Sequence, residues 1–404
     1  MTQGSAPQPP RPPHVPERET RRALAAVGGA FAAHAIQAGS LGPWIPTLTD
    51  RAGIGAGGLG LALTALAAGL LVGTRLAAPA IRRAGSRRVV RVAVPVLAAI
   101  FAVVPAASSL PQLSAVFLGL GIASGVVDVA MNDAAVLVEG RARRRVMSAI
   151  HGTWSVATLV GAALATLALV LDVPVGISFA SVALLVGAVT LPLLRWLPAP
   201  GGPPVAHPVG SSAAGDEAPR NGVVLALCAI AAAAFMAEGT ALEWSAVYLR
   251  DDLGATAGAA GAGVVAFTAG MAASRFVGDR LATRFGASGV VRAGAGAGAL
   301  VLAGALAVGG VPGTLVAFAL LGACLGPIVP LVFSTAGRLA RGRGRSALPV
   351  VVTSAYTGSV VGPVVLGITA ELVGLRVALL LPVVAAVVIA VLARRVDVAA
   401  PPPG

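Results

Sequence analysis

The stretch Gly121–Ser155 reads GIASGVVDVAMNDAAVLVEGRARRRVMSAIHGTWS. It places Asp128, Asn132 and Asp133 inside an apolar run, follows with an arginine cluster, and re-enters an apolar run at His151. At about 100° per residue, Gly121, Gly125, Asp128 and Asn132 fall within an arc of about 60° on one helical face. Small residues on that face let another helix approach, and the two polar groups then point at something other than lipid. An acid near a bilayer centre costs roughly 2.5–3.5 kcal/mol on insertion scales, so such a residue marks an ion or substrate path or an interhelical hydrogen bond.

Composition supports that reading. Of 404 residues, 57% are hydrophobic and 11% charged, and the mean hydropathy is +0.89. A soluble chain of this size does not carry so much apolar surface, so a polytopic membrane protein is expected. The net charge of +13 points to membrane topology rather than to nucleic acid, because the charge is concentrated in loops. All 29 basic residues are arginine. Cys228 and Cys324 both lie in apolar segments, where they act as small packing residues.

Twelve apolar spans long enough to cross about 30 Å follow from the sequence. They are residues 23–48, 58–81, 89–108, 112–138, 147–171, 173–196, 222–249, 257–281, 289–309, 313–336, 347–372 and 375–393. Placing the N-terminus inside assigns 26 arginines to the inner side and leaves only Arg51, Arg250 and Arg376 outside. By the positive-inside rule both termini are expected in the cytoplasm, in a multi-pass protein of the cell (inner or plasma) membrane. Residues 1–22 are Pro- and Arg-rich and read as a disordered cytoplasmic tail, and residues 394–404 as a second tail. Residues 198–221 form the one long Pro/Gly/Ser-rich break, expected as a cytoplasmic linker between six-helix bundles at 23–197 and 222–393.

The two bundles repeat. At a constant offset of 201, Gly53 matches Gly254, Gly85 matches Gly286, and Val89-Val90-Arg91 matches Val290-Val291-Arg292; Phe117, Gly121, Gly125 and Gly161 match Phe318, Gly322, Gly326 and Gly362. A register held without a gap over so long a stretch signals internal duplication, as in transporters whose site lies between halves near the midplane.

Two six-helix halves, a central linker and this loop charge pattern resemble the major facilitator superfamily. Its loop motif is partly present as Gly278-Asp279-Arg280 with Arg284 and Gly286, whereas the first half has Ala78 at the acid position and keeps Arg82, Arg83, Gly85, Arg87 and Arg88. The resemblance implies a twelve-helix all-α membrane fold of two pseudo-symmetric bundles, with Asp279, Arg280 and Arg284 in gating. Within the superfamily the chain looks most like the fucose permease-like branch. The matching residues are Asp128-Val-Ala-Met-Asn132, Glu139, Met147-Ser148 and His151, then Glu238-Gly, Glu243-Trp244-Ser245, Tyr248-Leu-Arg-Asp251, and Gly326-Pro-Ile-Val-Pro330 with Phe333-Ser334. Those permeases carry an acid in the first span, where this chain has His34 and Gln37.

Asp128 is the first candidate for a proton-coupling group and Glu238, near the middle of the seventh span, the second. His34, Gln37 and Asn132 are candidate substrate ligands, as are Trp44 and Trp244, whose rings suit either a sugar or an interfacial anchor. His151 is a candidate gate. Asp133 reads as structural, Glu139 as a solvated loop residue, and Glu243 as too far round the helix to share a ligand with Glu238. The expected activity is alternating-access transport of a small polar solute, a sugar among them, coupled to protons. The expected partners are the solute, protons and the lipid bilayer, with no nucleic acid, in a monomer. A drug/proton antiporter is the alternative, although the fifth span lacks the G-x-x-x-G-P antiporter signature, which appears instead as Gly358-x-x-x-Gly362-Pro363 in the eleventh. A non-transporting membrane receptor is a third reading. No nucleophile–base spacing, metal cluster or phosphate loop stands out, so no enzyme, catalytic residue, cofactor or metal is expected.

Overall fold

The computed structural model describes residues 17–142, 146–198, 222–339 and 347–399. Twelve helical spans cross it: Glu17–Ala52, Ala56–Ala84, Ser86–Ala106, Leu110–Ala142, Met147–Val170, Val175–Leu194, Gly222–Asp252, Ala257–Phe285, Ala287–Val308, Val311–Gly337, Leu348–Val373 and Leu375–Val396. They are named first to twelfth in chain order. Each apolar run forms a helix because the bilayer interior offers backbone groups no partner but one another. Proline is tolerated inside several spans. The tenth span is broken at Gly326–Pro327, between helices Val311–Leu325 and Ile328–Arg338. The first helix begins at Glu17, inside the stretch expected to be a tail, and a final helical segment covers Ala393–Ala399. The expected linker lies, apart from Pro198, outside the described residues.

The side chains turned away from the body of the protein are apolar. Leu184, Leu225, Leu300 and Leu372 are 73–76% exposed, a surface that only lipid covers favourably.

The duplication is visible in the backbone. The second, third, fourth and fifth helices begin at residues 56, 86, 110 and 147, and their counterparts begin at 257, 287, 311 and 348, each 201 residues later. The turns between the second and third and between the eighth and ninth spans use Gly85 (φ 78°) and Gly286 (φ 76°), conformations that a side chain would strain. Packing repeats in the same register. A Cβ on Gly121 would collide with the carbonyl of Leu66, and one on Gly322 with that of Phe267; Gly69 abuts Leu118 as Gly270 abuts Ala319. The glycine face read from the sequence is therefore the close-packing surface between the second and fourth spans, and between the eighth and tenth.

Side chains close several helix ends. Arg87 and Arg91 donate to the carbonyls of Leu194 and Arg195 at the end of the sixth span, and Arg376 donates to those of Leu306 and Ala307 at the end of the ninth. Glu139 is a cap rather than a solvated loop residue. Its Oε2 accepts the amides of Val146 (2.8 Å) and Met147 (3.0 Å), binding the end of the fourth span to the start of the fifth.

Candidate functional site between the two halves

The halves meet along a seam that is tight at the end carrying the short links 53–55, 171–174 and 253–256, here the short-link end. Arg250 makes a two-pronged ion pair across the seam with Asp50, Nη1 to Oδ2 at 2.6 Å and Nη2 to Oδ1 at 3.0 Å, and also holds Asp251 of its own half. The amide of Gly57, at the start of the second span, donates to Glu371 Oε2 of the eleventh at 2.9 Å. Below these polar contacts the backbones touch. A Cβ on Gly60 would meet Pro363 O and Gly367, one on Gly42 would meet Leu242 O and Val264, and one on Gly261 would meet Thr166 and Pro43.

Deeper in the membrane the seam carries polar groups. Asn132 Nδ2 donates to the backbone oxygen of Asp128 at 2.8 Å and to its Oδ1 at 3.3 Å. The other carboxylate oxygen, Oδ2, accepts the hydroxyl of Tyr356 at 3.4 Å, from the eleventh span in the opposite half. The acid thus faces the seam, not lipid. A second tie runs the other way: Arg275 Nη1 of the eighth span donates to Ser155 Oγ of the fifth at 3.0 Å. Arg275 Nη2 lies 3.6 Å from Glu238 Oε1, both side chains being 25% exposed, and its Nε donates to Gly326 O at the break in the tenth span.

His34 and Gln37 are buried on the first span. The imidazole meets the Trp154 ring edge-on at 4.7 Å between centroids, and Gln37 Nε2 donates to Ala33 O at 3.0 Å. His34 Nδ1 and Gln37 Oε1 are buried without a partner. Unmatched buried polar atoms are costly and rare, and these two, three residues apart on one helix, are groups that a polar solute or water would satisfy.

The remaining candidates are placed differently. Trp44 is buried against Phe179 of the sixth span, 6.5 Å between ring centroids, and Trp244 is fully buried. Neither ring lies at a lipid interface or on an open wall here. Arg280 is exposed, and Arg284 stacks over the Phe285 ring at 5.3 Å. The side chains of Asp279 and His151 lie outside the described part of the chain.

Two central residues escaped the sequence reading. Tyr356 is a single aromatic in the antiporter-like glycine segment, and Arg275 reads as a helix-end charge. The offset of 201 carries the missing signal, because it pairs Ser155 with Tyr356 and Gln37 with Glu238. Among the described residues no three His, Cys, Asp or Glu side chains gather as a metal site.

A family model described as Major Facilitator Superfamily matches residues 27–347 and 223–404. An uncharacterized transporter of Sinorhizobium fredii is 31% identical over 368 residues, covering 87% of this chain and 93% of the relative. An uncharacterized MFS-type transporter of Yersinia pestis is 29% identical, covering 83% of this chain and 86% of that one. The membrane protein MosC of Rhizobium meliloti is 32% identical, covering 82% and 80%. Among solved structures, the nucleoside transporter NupG as its D323A mutant superposes with a TM-score of 0.68 at 13% identity, covering 95% of this chain and all of that one.

Proposed function

The chain belongs to the Major Facilitator Superfamily, and from that premise we propose that it is a proton-coupled secondary transporter of a small polar solute. One observation carries the proposal. Asp128 is an acid inside the membrane whose carboxylate is shared between its own helix, through Asn132, and the opposite half, through Tyr356. A group in that place feels both the proton and the relative position of the halves, which is what coupling requires. When Asp128 ionises, both oxygens accept. When it binds a proton, one accepting site is lost and the tie to Tyr356 weakens. The halves are then freer to rock about a solute held by His34, Gln37 and Asn132.

The charge balance fits a neutral solute. Arg275 is committed to Glu238 and Ser155, and a proton on Asp128 neutralises the remaining charge. A sugar is the first class to test, in keeping with the fucose permease-like motif. Uridine belongs in the panel because a nucleoside transporter shares the fold. The glycines of the antiporter-like signature pack against Ala232 O and Met236 of the seventh span, which accounts for them as packing residues. In the proposed orientation the arginine-rich end is cytoplasmic, so the structure is closed to the outside.

Asp128→Asn keeps the shape and, like the protonated acid, a single accepting oxygen for Asn132 and Tyr356, but it cannot ionise. In proteoliposomes with an imposed pH gradient, accumulation of whichever of L-fucose, D-glucose or uridine the wild type concentrates is expected to fall to background. Gradient-free exchange of the same solute is expected to persist. Wild-type accumulation by a well-folded Asp128→Asn protein would sink the proposal.

A further inference from the structure

The first half carries a cluster of guanidiniums that no acid answers. Where the first, third and sixth spans meet at the arginine-rich end, Arg87 and Arg91 donate to the carbonyls of Leu194 and Arg195 at 2.8–3.0 Å. The next residue, Trp196, has the guanidinium of Arg195 at 4.4 Å and that of Arg22 at 5.6 Å from its ring centroid. Four cations thus converge on three consecutive residues. The carbonyl bonds use few of the five N–H donors on each guanidinium, and the enclosed Nε of Arg87 has no partner. Neither the third nor the sixth span contains an acid. Of the acids that open the first helix, Glu17 pairs with Arg21 and Glu19 is exposed. Among the described residues no ion pair joins a carboxylate to Arg22, Arg87, Arg91 or Arg195.

An apolar groove lies further along the same two spans. It holds about 360 Å³ between the third and the sixth and is lined by Ala98, Ala99, Ala102, Ala180, Ala183 and Leu184. On the third span Arg87, Arg91, Ala98 and Ala102 fall within an arc of about 60°, so the cations stand over the groove. Beside Gly187 of the sixth span the space is open: a Cβ there would meet only Leu191, at 4.0 Å. Ala98 and Ala102 follow Arg91 by roughly 10 to 17 Å along the helix, about the depth of one leaflet's hydrocarbon.

The internal repeat supplies the contrast. At the offset of 201, Arg22, Arg87, Arg195 and Trp196 become Val223, Ser288, Val396 and Asp397, while Arg91 stays arginine as Arg292. Ala180, Ala183 and Gly187 become Leu381, Val384 and Val388. The second half has neither the cluster nor the small residues, although its backbone repeats that of the first. A charge excess that served topology alone would need neither the convergence nor the groove.

We infer that this is a binding site for one anionic phospholipid of the leaflet at the arginine-rich end. Arg22, Arg87, Arg91 and Arg195 hold its phosphodiester, and an acyl chain lies in the groove between the third and sixth spans. Guanidiniums in a pocket between spans suit phosphate oxygens in charge and geometry, and a tryptophan ring belongs at headgroup depth. One phosphate relieves the mutual repulsion of the four cations. The alanines and Gly187 leave the chain a channel that the second half's Leu and Val would fill. The lipid ties together three spans of one half and touches neither Asp128 nor the seam, so the inference goes beyond the transport reading and stands apart from it.

The test is an equilibrium titration of the full chain in detergent micelles, read by thermophoresis. The probes are palmitoyl-oleoyl phosphatidylglycerol, the phosphatidylcholine with the same chains, and inorganic phosphate. Phosphatidylglycerol is expected to bind about tenfold more tightly than phosphatidylcholine. Arg22→Gln/Arg195→Gln changes two exposed residues that hold no helix end, and is expected to bring that preference to about twofold or less. Arg394→Gln/Arg395→Gln removes the same charge after the last span of the second half and is expected to leave the preference intact. Ala183→Val/Gly187→Val, which installs the second half's residues, is expected to weaken both lipids about fivefold without changing the preference. Equal binding of the two lipids, an equal loss in Arg394→Gln/Arg395→Gln, an unaltered affinity in Ala183→Val/Gly187→Val, or displacement of phosphatidylglycerol by millimolar phosphate would each overturn the inference. So would a dimer that Ala183→Val/Gly187→Val dissociates, which would give the groove to a second copy of the chain.

Discussion

Asp50→Asn tests the seam where its contacts are most explicit. The substitution removes the charge that Arg250 grips across the two halves and leaves Arg250 with Asp251 alone. The side chain of Arg250 is 24% exposed and that of Asp50 66%, so the pair sits largely in water and a buried-pair magnitude does not apply. Good bidentate geometry places it at the upper end of the exposed range, about 0.5–1 kcal/mol. If that energy is present only when the short-link end is closed, Asp50→Asn raises the open-to-closed ratio roughly two- to fivefold. Distances between nitroxide labels at Ser108 and Val308, which are exposed and lie on different halves at the short-link end, read that ratio directly at neutral pH. Two controls sharpen the result. Raising the salt to about 0.5 M shrinks the Debye length to a few ångströms and should reduce the difference between wild type and variant. Glu371→Gln loosens a separate contact, the bond to the Gly57 amide, and its effect should add to that of Asp50→Asn because the two share no partner. A ratio unchanged or lowered by Asp50→Asn would show that the pair exists in both conformations and does not latch the seam.

Two further outcomes concern stability. Gly121→Val and Gly322→Val each drive a side chain into the backbone of a partner helix, at Leu66 and Phe267, and each is expected to cost about 1–3 kcal/mol; equal thermal stability of either variant with wild type would show that the helices separate freely there. Arg275→Gln strips Glu238 of its cation at a site a quarter exposed, so the expected loss is about 1–2 kcal/mol, below the range for a fully buried pair, with part of it recovered in Arg275→Gln/Glu238→Gln. A double variant no more stable than Arg275→Gln would show that the pair is not what Arg275 supplies.

The fold was legible in the sequence because its determinants are local. A span needs about twenty apolar residues, and the two copies can be compared letter by letter. Most span boundaries fell within a few residues of the helices, which overshoot them where Arg82, Arg83 and Arg141 carry the last turns past the apolar limit. The site was legible only in part. Asp128 and Asn132 announced themselves by being polar in an apolar run, and so did Glu238. Tyr356 and Arg275 did not, because their roles depend on which helix of the other half they meet, a fact absent from the sequence around either. Glu139 shows the converse. In sequence it is an acid among arginines, yet its carboxylate caps the helix seven residues on, a contact that only the bend between the fourth and fifth spans creates.

The duplication explains why the chemistry is lopsided although the scaffold is not. Backbone contacts such as Gly121 with Leu66 and Gly322 with Phe267 recur in both copies, so the packing surfaces kept their register. The polar positions diverged within it: Gln37 became the counterpart of Glu238, and Ser155 that of Tyr356. Each pair sits at one depth on matching helices, the first and seventh or the fifth and eleventh. In each pair the second half carries the titratable member. The first half answers with Asp128, whose own counterpart is Val329, and the second with Arg275, whose counterpart is Thr74. Two ties therefore cross the seam in opposite directions, Tyr356 to Asp128 and Arg275 to Ser155, and only the first contains a carboxyl group. Had both copies kept the same residues, a proton would load the two ties alike and give no preference between them. Under the proposed coupling, this asymmetry would let one proton loosen the tie of Tyr356 to Asp128 while the ion pair of Arg275 and Glu238 stays intact, so the halves could rock without dissolving the whole interface.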